Sequence, residues 1–191
     1  MTAVSDVTIC NLALGWLGAN LIISLDDAGD EAALCKANYG TSRDATLEAR
    51  NWTFASSRKR LIPLAEAPEF GYSYQFQLPA DNIRVLVAGN DPKFRDDLDW
   101  LKEEDKILSD VQVLYILYTK RIEDPQKFSS GFVHAFAARL ASDMAVPLTN
   151  SKDMQQLMAQ LYLGKLEVAG VMDGIQGKNT KLVSNQLVRV R

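Results

Sequence analysis

The chain has 191 residues, of which 47% are hydrophobic and 24% charged, and its formal net charge is −3. This is the length and composition of one domain, or of a domain with an insertion, able to bury roughly 70% of its unfolded surface without disulfides or metals. The charge balance argues against a general nucleic-acid coat, the lack of any run of about 18 apolar residues against a membrane span, and the N-terminus "MTAVSDVTICNLALGWLG", with no basic leader, against a secretory signal.

The first helix is expected from Ser5 or Asp6, both good N-cap types. Ile9, Leu12, Ala13, Trp16 and Leu17 follow the spacing of one apolar stripe, and Gly18 and Asn20 suit its end. "SLDDAGDE" supplies turn formers and the acids that favour a helix start. A second helix is expected from Asp30 to Arg50, with Ala32, Cys35, Tyr39, Ser42, Thr46 and Ala49 on its best face. These residues are mostly small, so this helix allows close approach but offers little apolar area. Cys10 and Cys35 are too few and too far apart for a disulfide framework or a zinc site, and read as buried thiols.

The period changes after Arg60. Tyr72, Tyr74, Phe76 and Leu78 alternate with polar residues, as in a half-buried strand that Pro79 stops. "NIRVLVAG" reads as a second strand, and "VQVLYILYT" as a strand covered on both faces. Between them "NDPKFRDDLDWLKEED" is a polar, acidic loop with Trp100 and Leu101 as a short strand.

Helical signals return at "EDPQKF", with Asp124 as N-cap and Pro125 at the first helical position. Val133, Phe136, Ala137, Leu140 and Met144 form a stripe that ends at Pro147. A fourth helix starts near Ser151, with Met154, Leu157, Met158, Leu161, Val168 and Met172 on one side and Leu163 and Leu166 on the other. Such a helix needs cover on two sides, from its own fold or from another copy. The fold class is therefore α+β: a bundle of about four helices from residues 1–60 and 122–177, a small antiparallel β insertion at 61–121, and an extended arm at 178–191. Four of the 21 basic residues and none of the 24 acids lie in "GKNTKLVSNQLVRVR", so this tail carries +4 and the remainder −7. It reads either as an inert end or as an arm that orders on a partner's surface.

Chemistry finds little support. The single histidine, His134, sits beside an apolar stripe with no triad spacing around it. Asp96, Asp97, Asp99, Glu103, Glu104 and Asp105 suit a hard cation in type, but lack EF-hand spacing and read as a solvated loop. "GVMDGIQGKN" fails as a phosphate loop, because Met172 stands where the first glycine belongs and Asn179 where Ser or Thr belongs. No catalytic, cofactor-binding or metal residue is expected. In "LEARNWTFASSRKRL", Trp52 and Phe54 are expected to fill the junction of helices and sheet, with Arg58, Lys59 and Arg60 sitting at a helix end, pairing with acids or rimming an interface. The rival reading of that stretch is single-strand nucleic-acid binding by stacking and charge.

Taken together and in order, "ICNLALGWLGANLIISLDD", the small-residue helix, "LEARNWTFASSRKRL" and "YSYQFQLPADNIRVL" resemble the head-to-tail adaptor of short-tailed bacteriophages, the tail tubular protein A family, and related prophage connectors. The likeness spans about Val4 to Leu86, with "LEARNWTFA" and "FQLPADNIRVL" its most specific parts; the tail after Gly177 matches nothing in the family. The resemblance implies a non-enzymatic protein that forms a dodecameric ring under the portal, joins it to the tail nozzle and other tail proteins, and conducts DNA without binding it specifically. It also implies a helical bundle with a β insertion, made in the host bacterial cytoplasm and carried in the virion tail, with no membrane and no cofactor. On that reading small residues of the second helix and the two-sided fourth helix pack between copies. Arg58, Lys59, Arg60 and the arm residues Lys181, Leu182, Val183, Leu187, Val188, Arg189 and Arg191 contact portal or neighbour, and the acidic loop lies at the lumen or rim. The alternatives are a DNA-binding packaging or regulatory module using residues 58–60 and the arm, and a metal-dependent enzyme built on the acids.

Overall fold

A computed structural model describes residues 4–176, so the arm at 178–191 lies outside the described residues. Within them the chain forms two compact units, one from residues 4–54 and 122–176, the other from 55–121. The class is α+β: four helices and two small antiparallel sheets. Among the described residues no helix is long and apolar enough to cross a membrane.

The helical unit contains α1 (Asp6–Leu17), α2 (Asp30–Ala49), α3 (Ser130–Thr149) and α4 (Lys152–Gln176). Ser5 caps α1 by accepting from the Thr8 amide, and Gly18 ends it at φ 68°, where a side chain would be strained. The Asn11 side chain then exchanges two 2.8 Å hydrogen bonds with the backbone of Ile22, which pins the connection to α2. α3 is central and packs against α1, α2 and α4. Its sequence explains this. Beyond the expected stripe of Val133, Phe136, Ala137, Leu140 and Met144, small Ala135, Ala138 and Ala141 are also buried, so neighbours approach from several sides.

Two ends of α3 differ from expectation. Asp124 caps only a 3-10 turn, Pro125–Lys127, and the helix itself starts after Ser129, whose hydroxyl accepts from the Phe132 amide. Pro147 does not stop the helix. It sits in the last turn, and the chain leaves only at Asn150, φ 52°, whose side chain tolerates the left-handed region.

The β unit contains β1 (Ser56–Leu61), β2 (Tyr74–Gln77), β3 (Asn82–Gly89), β4 (Trp100–Glu103), β5 (Lys106–Ser109) and β6 (Leu114–Lys120). They form two three-stranded sheets, ordered β1-β6-β3 and β2-β5-β4, antiparallel throughout. Leu61, Ala88, Leu114, Ile116 and Tyr118 of the first sheet share one core with Phe76, Ile107 and Leu108 of the second and its neighbour Leu78. Three sequence expectations need correction. Residues 56–60, assigned to the end of the bundle, form with Leu61 an edge strand. Its run of three charges hides the pairing with β6, as charges on sheet edges commonly do. The acidic stretch is not one loop, because Glu103 closes β4 and a Glu104–Asp105 turn leads into β5, which was not expected. Finally, β6 is fully buried mainly on the side of Leu114, Ile116 and Tyr118, while Tyr115 and Leu117 on the other side are only half-buried.

Candidate functional site

The segment "LEARNWTFA" carries α2 into a short 3-10 turn, Thr53–Ala55, and its side chains do three separate jobs in the helical unit. Trp52 is 1% exposed, and its indole Nε1 donates to the Thr46 carbonyl at 2.9 Å, which satisfies its one polar group. It meets Phe132 edge-on at 5.0 Å, within an aromatic cluster completed by half-buried Phe54 and by Phe128 and Phe136. Thr53 donates both its amide and its hydroxyl to one carboxylate oxygen of Asp173, at 2.7 and 2.8 Å. Arg50 lays its guanidinium over Gly170, where any side chain would overlap it, and Nη1 donates to the Glu167 carbonyl. The segment is thus a strap that fixes the end of α2 to α3 and α4. Asp173 and Gly170 lie more than 100 residues away in sequence, so no local pattern identifies them.

Cys10 and Cys35 are both completely buried within this unit. A hydrogen bond to Cys35 and then burial hold the Cys10 thiol well above its ordinary value, so it stays protonated and unreactive at neutral pH. Cys35 Sγ also lies 3.7 Å from Met144 Sδ. His134 is exposed and stands beside Trp16, with ring centroids 6.5 Å apart.

The basic run Arg58, Lys59 and Arg60 lies on β1 and is exposed. The strand's period of two divides it. Lys59 pairs across the sheet with Ile116, whose side chain is in the core, whereas Arg58 and Arg60 pair with Leu117 and Tyr115 on the opposite face. Arg58 covers the Phe94 ring at 5.7 Å. Three neighbouring charges in sequence are therefore two on one face and one on the other.

The acids of residues 96–105 are similarly dispersed. The Asp96 carboxylate accepts from the amides of Asn90 and Asp91 at 2.7 and 3.3 Å and fills the space that a Cβ on Gly89 would need. Asp97 and Asp99 are exposed, and the Asp99 carbonyl accepts from the Ser109 hydroxyl. Glu103 faces Lys106 across the β4–β5 hairpin, Glu104 takes the left-handed turn position at φ 49°, and Asp105 accepts from Gln77 Nε2 at 2.7 Å. Among the described residues no group of three or more His, Cys, Asp or Glu side chains could hold a metal ion. A groove of about 850 Å³ in this unit is lined by Lys59, Arg60, Lys102, Glu104 and Asp105 around apolar Ile62, Leu64 and Leu78. It mixes both charges around an apolar floor.

The packing face of α4, which the two-sided apolar spacing left open, is decided in the structure. Met158, Tyr162, Ala169 and Asp173 turn inward. Leu157, Val168 and Met172, expected on one apolar side together with Met158, point to solvent, as do Leu163 and Val171. Close packing explains the choice of face. Gly131 of α3 comes so near Ala169 that an added Cβ would stand 2.8 Å from the alanine methyl, and such contact requires small residues on both helices. Among the described residues α4 carries five of the eleven exposed large hydrophobic side chains, and its two-sided apolar spacing was legible in the sequence. No protein-family profile matches the chain, and neither does any curated protein.

Proposed function

We propose that this chain is a structural head-to-tail connector of a short-tailed bacteriophage or prophage. Copies form a ring beneath the portal, join it to the tail nozzle, and let the genome pass. The observation that carries this reading is the uncovered apolar face of the 25-residue α4, on a helical unit whose other helices are already packed together. A subunit that works alone has no use for such a face, whereas a ring subunit buries it against its neighbours. The ordered likeness of residues 4–86 to the tail tubular protein A family supports the same conclusion. So does the α+β arrangement, with a β unit interrupting a helical one.

The reading assigns the protein no catalysis and no cofactor. The basic arm at 178–191 serves as an extended grip on the portal, and the net negative remainder suits a channel that does not hold phosphate. The protein is made in the host cytoplasm and ends in the virion. Negative-stain microscopy of the protein alone and mixed with portal rings tests this. Closed rings seated coaxially on the portal are expected. Protein that ignores portals but shifts duplex DNA with a steep dependence on salt overturns the connector in favour of a DNA-binding packaging or regulatory module.

A further inference from the structure

We infer that the segment after α4 adds a fourth strand to the sheet β2-β5-β4, with residues 186–191 lying along the open edge of β4 in the free subunit. The contact itself follows from the β unit and from the segment's sequence. Its use as a store for the portal grip rests on the connector reading.

Two three-stranded sheets leave four strand edges, and an unpaired edge is a row of amides and carbonyls ready to take another strand. Three of the four are protected, each in its own way. β1 carries Arg58, Lys59 and Arg60, which repel a basic segment. β2 is flanked by the chain that follows β1, where the Leu64 amide donates to the Gln75 carbonyl at 2.8 Å and Gln75 Nε2 to the Glu66 carbonyl at 2.9 Å. β3 shifts register twice against β6, between Asn82 and Arg84 and between Val85 and Val87, and a bulged edge is a poor template. β4 has none of these protections. It pairs with β5 in unbroken register from Trp100 to Glu103, and Leu101, Lys102 and Glu103 are exposed.

Charge and pattern then select the occupant. From Asp96 to Lys106 the chain holds six acids and two lysines, a net of −4 around β4. Residues 177–191 hold two lysines, two arginines and no acid, a net of +4. Within them Val188 and Val190 alternate with Arg189 and Arg191, the period of a strand with one apolar and one basic face. β4 offers the two matching faces. On one, Trp100 packs against the core that the two sheets share; on the other, Leu101 stands 46% exposed on the same side as Glu103. Val188 and Val190 extend the Trp100 side. The arginines lay their stems toward Leu101 and bring their charge to Glu103, which faces Lys106 on its β5 flank.

The occupant is the same chain's own segment. Residues 177–191 reach about 50 Å when extended, more than the width of a unit of this size. Tethering gives the segment an effective concentration of about the millimolar range, which a second copy in dilute solution does not match. A strand on this edge keeps β4 from pairing with other copies, and it holds the grip in reserve until a portal exchanges for it.

Residue-resolved hydrogen exchange on the full-length protein tests this. Amides of residues 186–191, and those of β4 that do not pair with β5, should exchange about tenfold more slowly than in an unstructured chain, at rates independent of protein concentration. Glu103→Lys, and separately Arg189→Glu with Arg191→Glu, should each lower the protection of both segments about fivefold, and the three changes together should restore most of it. Glu103 is exposed, so an unchanged melting temperature is expected for Glu103→Lys. Residues 186–191 exchanging as an unstructured chain, protection that grows with concentration and so assigns the edge to a second copy, or protection indifferent to the substitutions overturns the inference. Microscopy on portals separates this from the broader reading. An unprotected segment in a protein that still rings the portal sinks the inference and leaves the connector standing, whereas a protected segment in a protein that forms no ring on portals does the reverse.

Discussion

Asp173 holds Thr53 from the opposite end of the helical unit's sequence, taking both the amide and the hydroxyl of that residue on a single carboxylate oxygen. The carboxylate is buried while Thr53 is exposed, so the two bonds are partly shielded from water. Asp173→Ala is expected to remove both bonds at once and, because Thr53 is itself exposed and water can take them over, to lower stability by about 1–2 kcal/mol. Urea unfolding measures it. A loss near zero would mean that Thr53 does not depend on this carboxylate.

Gly131 and Ala169 bring α3 and α4 into close contact. Gly131→Ala raises helix propensity by about 1 kcal/mol, yet it should destabilise by about 1–3 kcal/mol, because the new methyl collides with Ala169. Ala169→Gly in that background should recover part of the loss. Gly174→Ala, with nothing within 4 Å, should instead be neutral or stabilising. Thermal melts of the variants decide it, and additive effects at positions 131 and 169 would exclude the collision.

Alkaline pH should weaken the fold. The Cys10 thiol, through its bond to Cys35 and its burial, and the Tyr39 hydroxyl, chiefly through burial, hold their protons more tightly than in the unfolded chain. Their contribution is complete below the unfolded values near 9 and 10 and declines as pH rises toward the folded ones. In that interval the folded state keeps protons that the unfolded state has released, which costs about 1.4 kcal/mol per pH unit for each group. Tyr39→Phe removes the phenol that burial holds protonated and should show a shallower decline above pH 10. A slope unchanged by that substitution would contradict the assignment.

The split of the basic run makes its two faces separable. Arg58→Ala with Arg60→Ala removes the charges on one face of β1, and Lys59→Ala the charge on the other. All three residues are exposed, so stability should move by less than about 0.5 kcal/mol in either case. If β1 rims the proposed portal contact, one of these variants should lose portal binding in co-sedimentation while the other keeps it. Equal loss in both would mean that β1 acts through net charge and not through a face.

Four helices and most of the strands were legible because their signals are local. Ser5, Asp30 and Gly18 mark helix ends through side-chain capping, favourable end charge or left-handed backbone, and Asn82–Gly89 shows its strand character in its own residues. The amphipathic spacing along Lys152–Gln176 was also present in the sequence, and with it the fact that this helix has two apolar sides. What the sequence by itself determined, then, is the order and kind of the elements and the excess of apolar surface on α4.

Only the tertiary structure decided which side of α4 is buried. Gly131 and Ala169, 38 positions apart, draw the Met158 and Tyr162 side against α3 and leave Leu157 and Val168 outside. The same holds for Ser56–Leu61, whose strand character resides in its partner Leu114–Lys120 and not in its own charged residues. It holds too for the acids at 96–105, which one pattern of charge made look alike and which turns and a hairpin send to different tasks. The physical reason is common to all three. Periodicity records what each residue gains from leaving water, whereas the choice between two apolar faces, or between loop and edge strand, depends on contacts with segments distant in the chain.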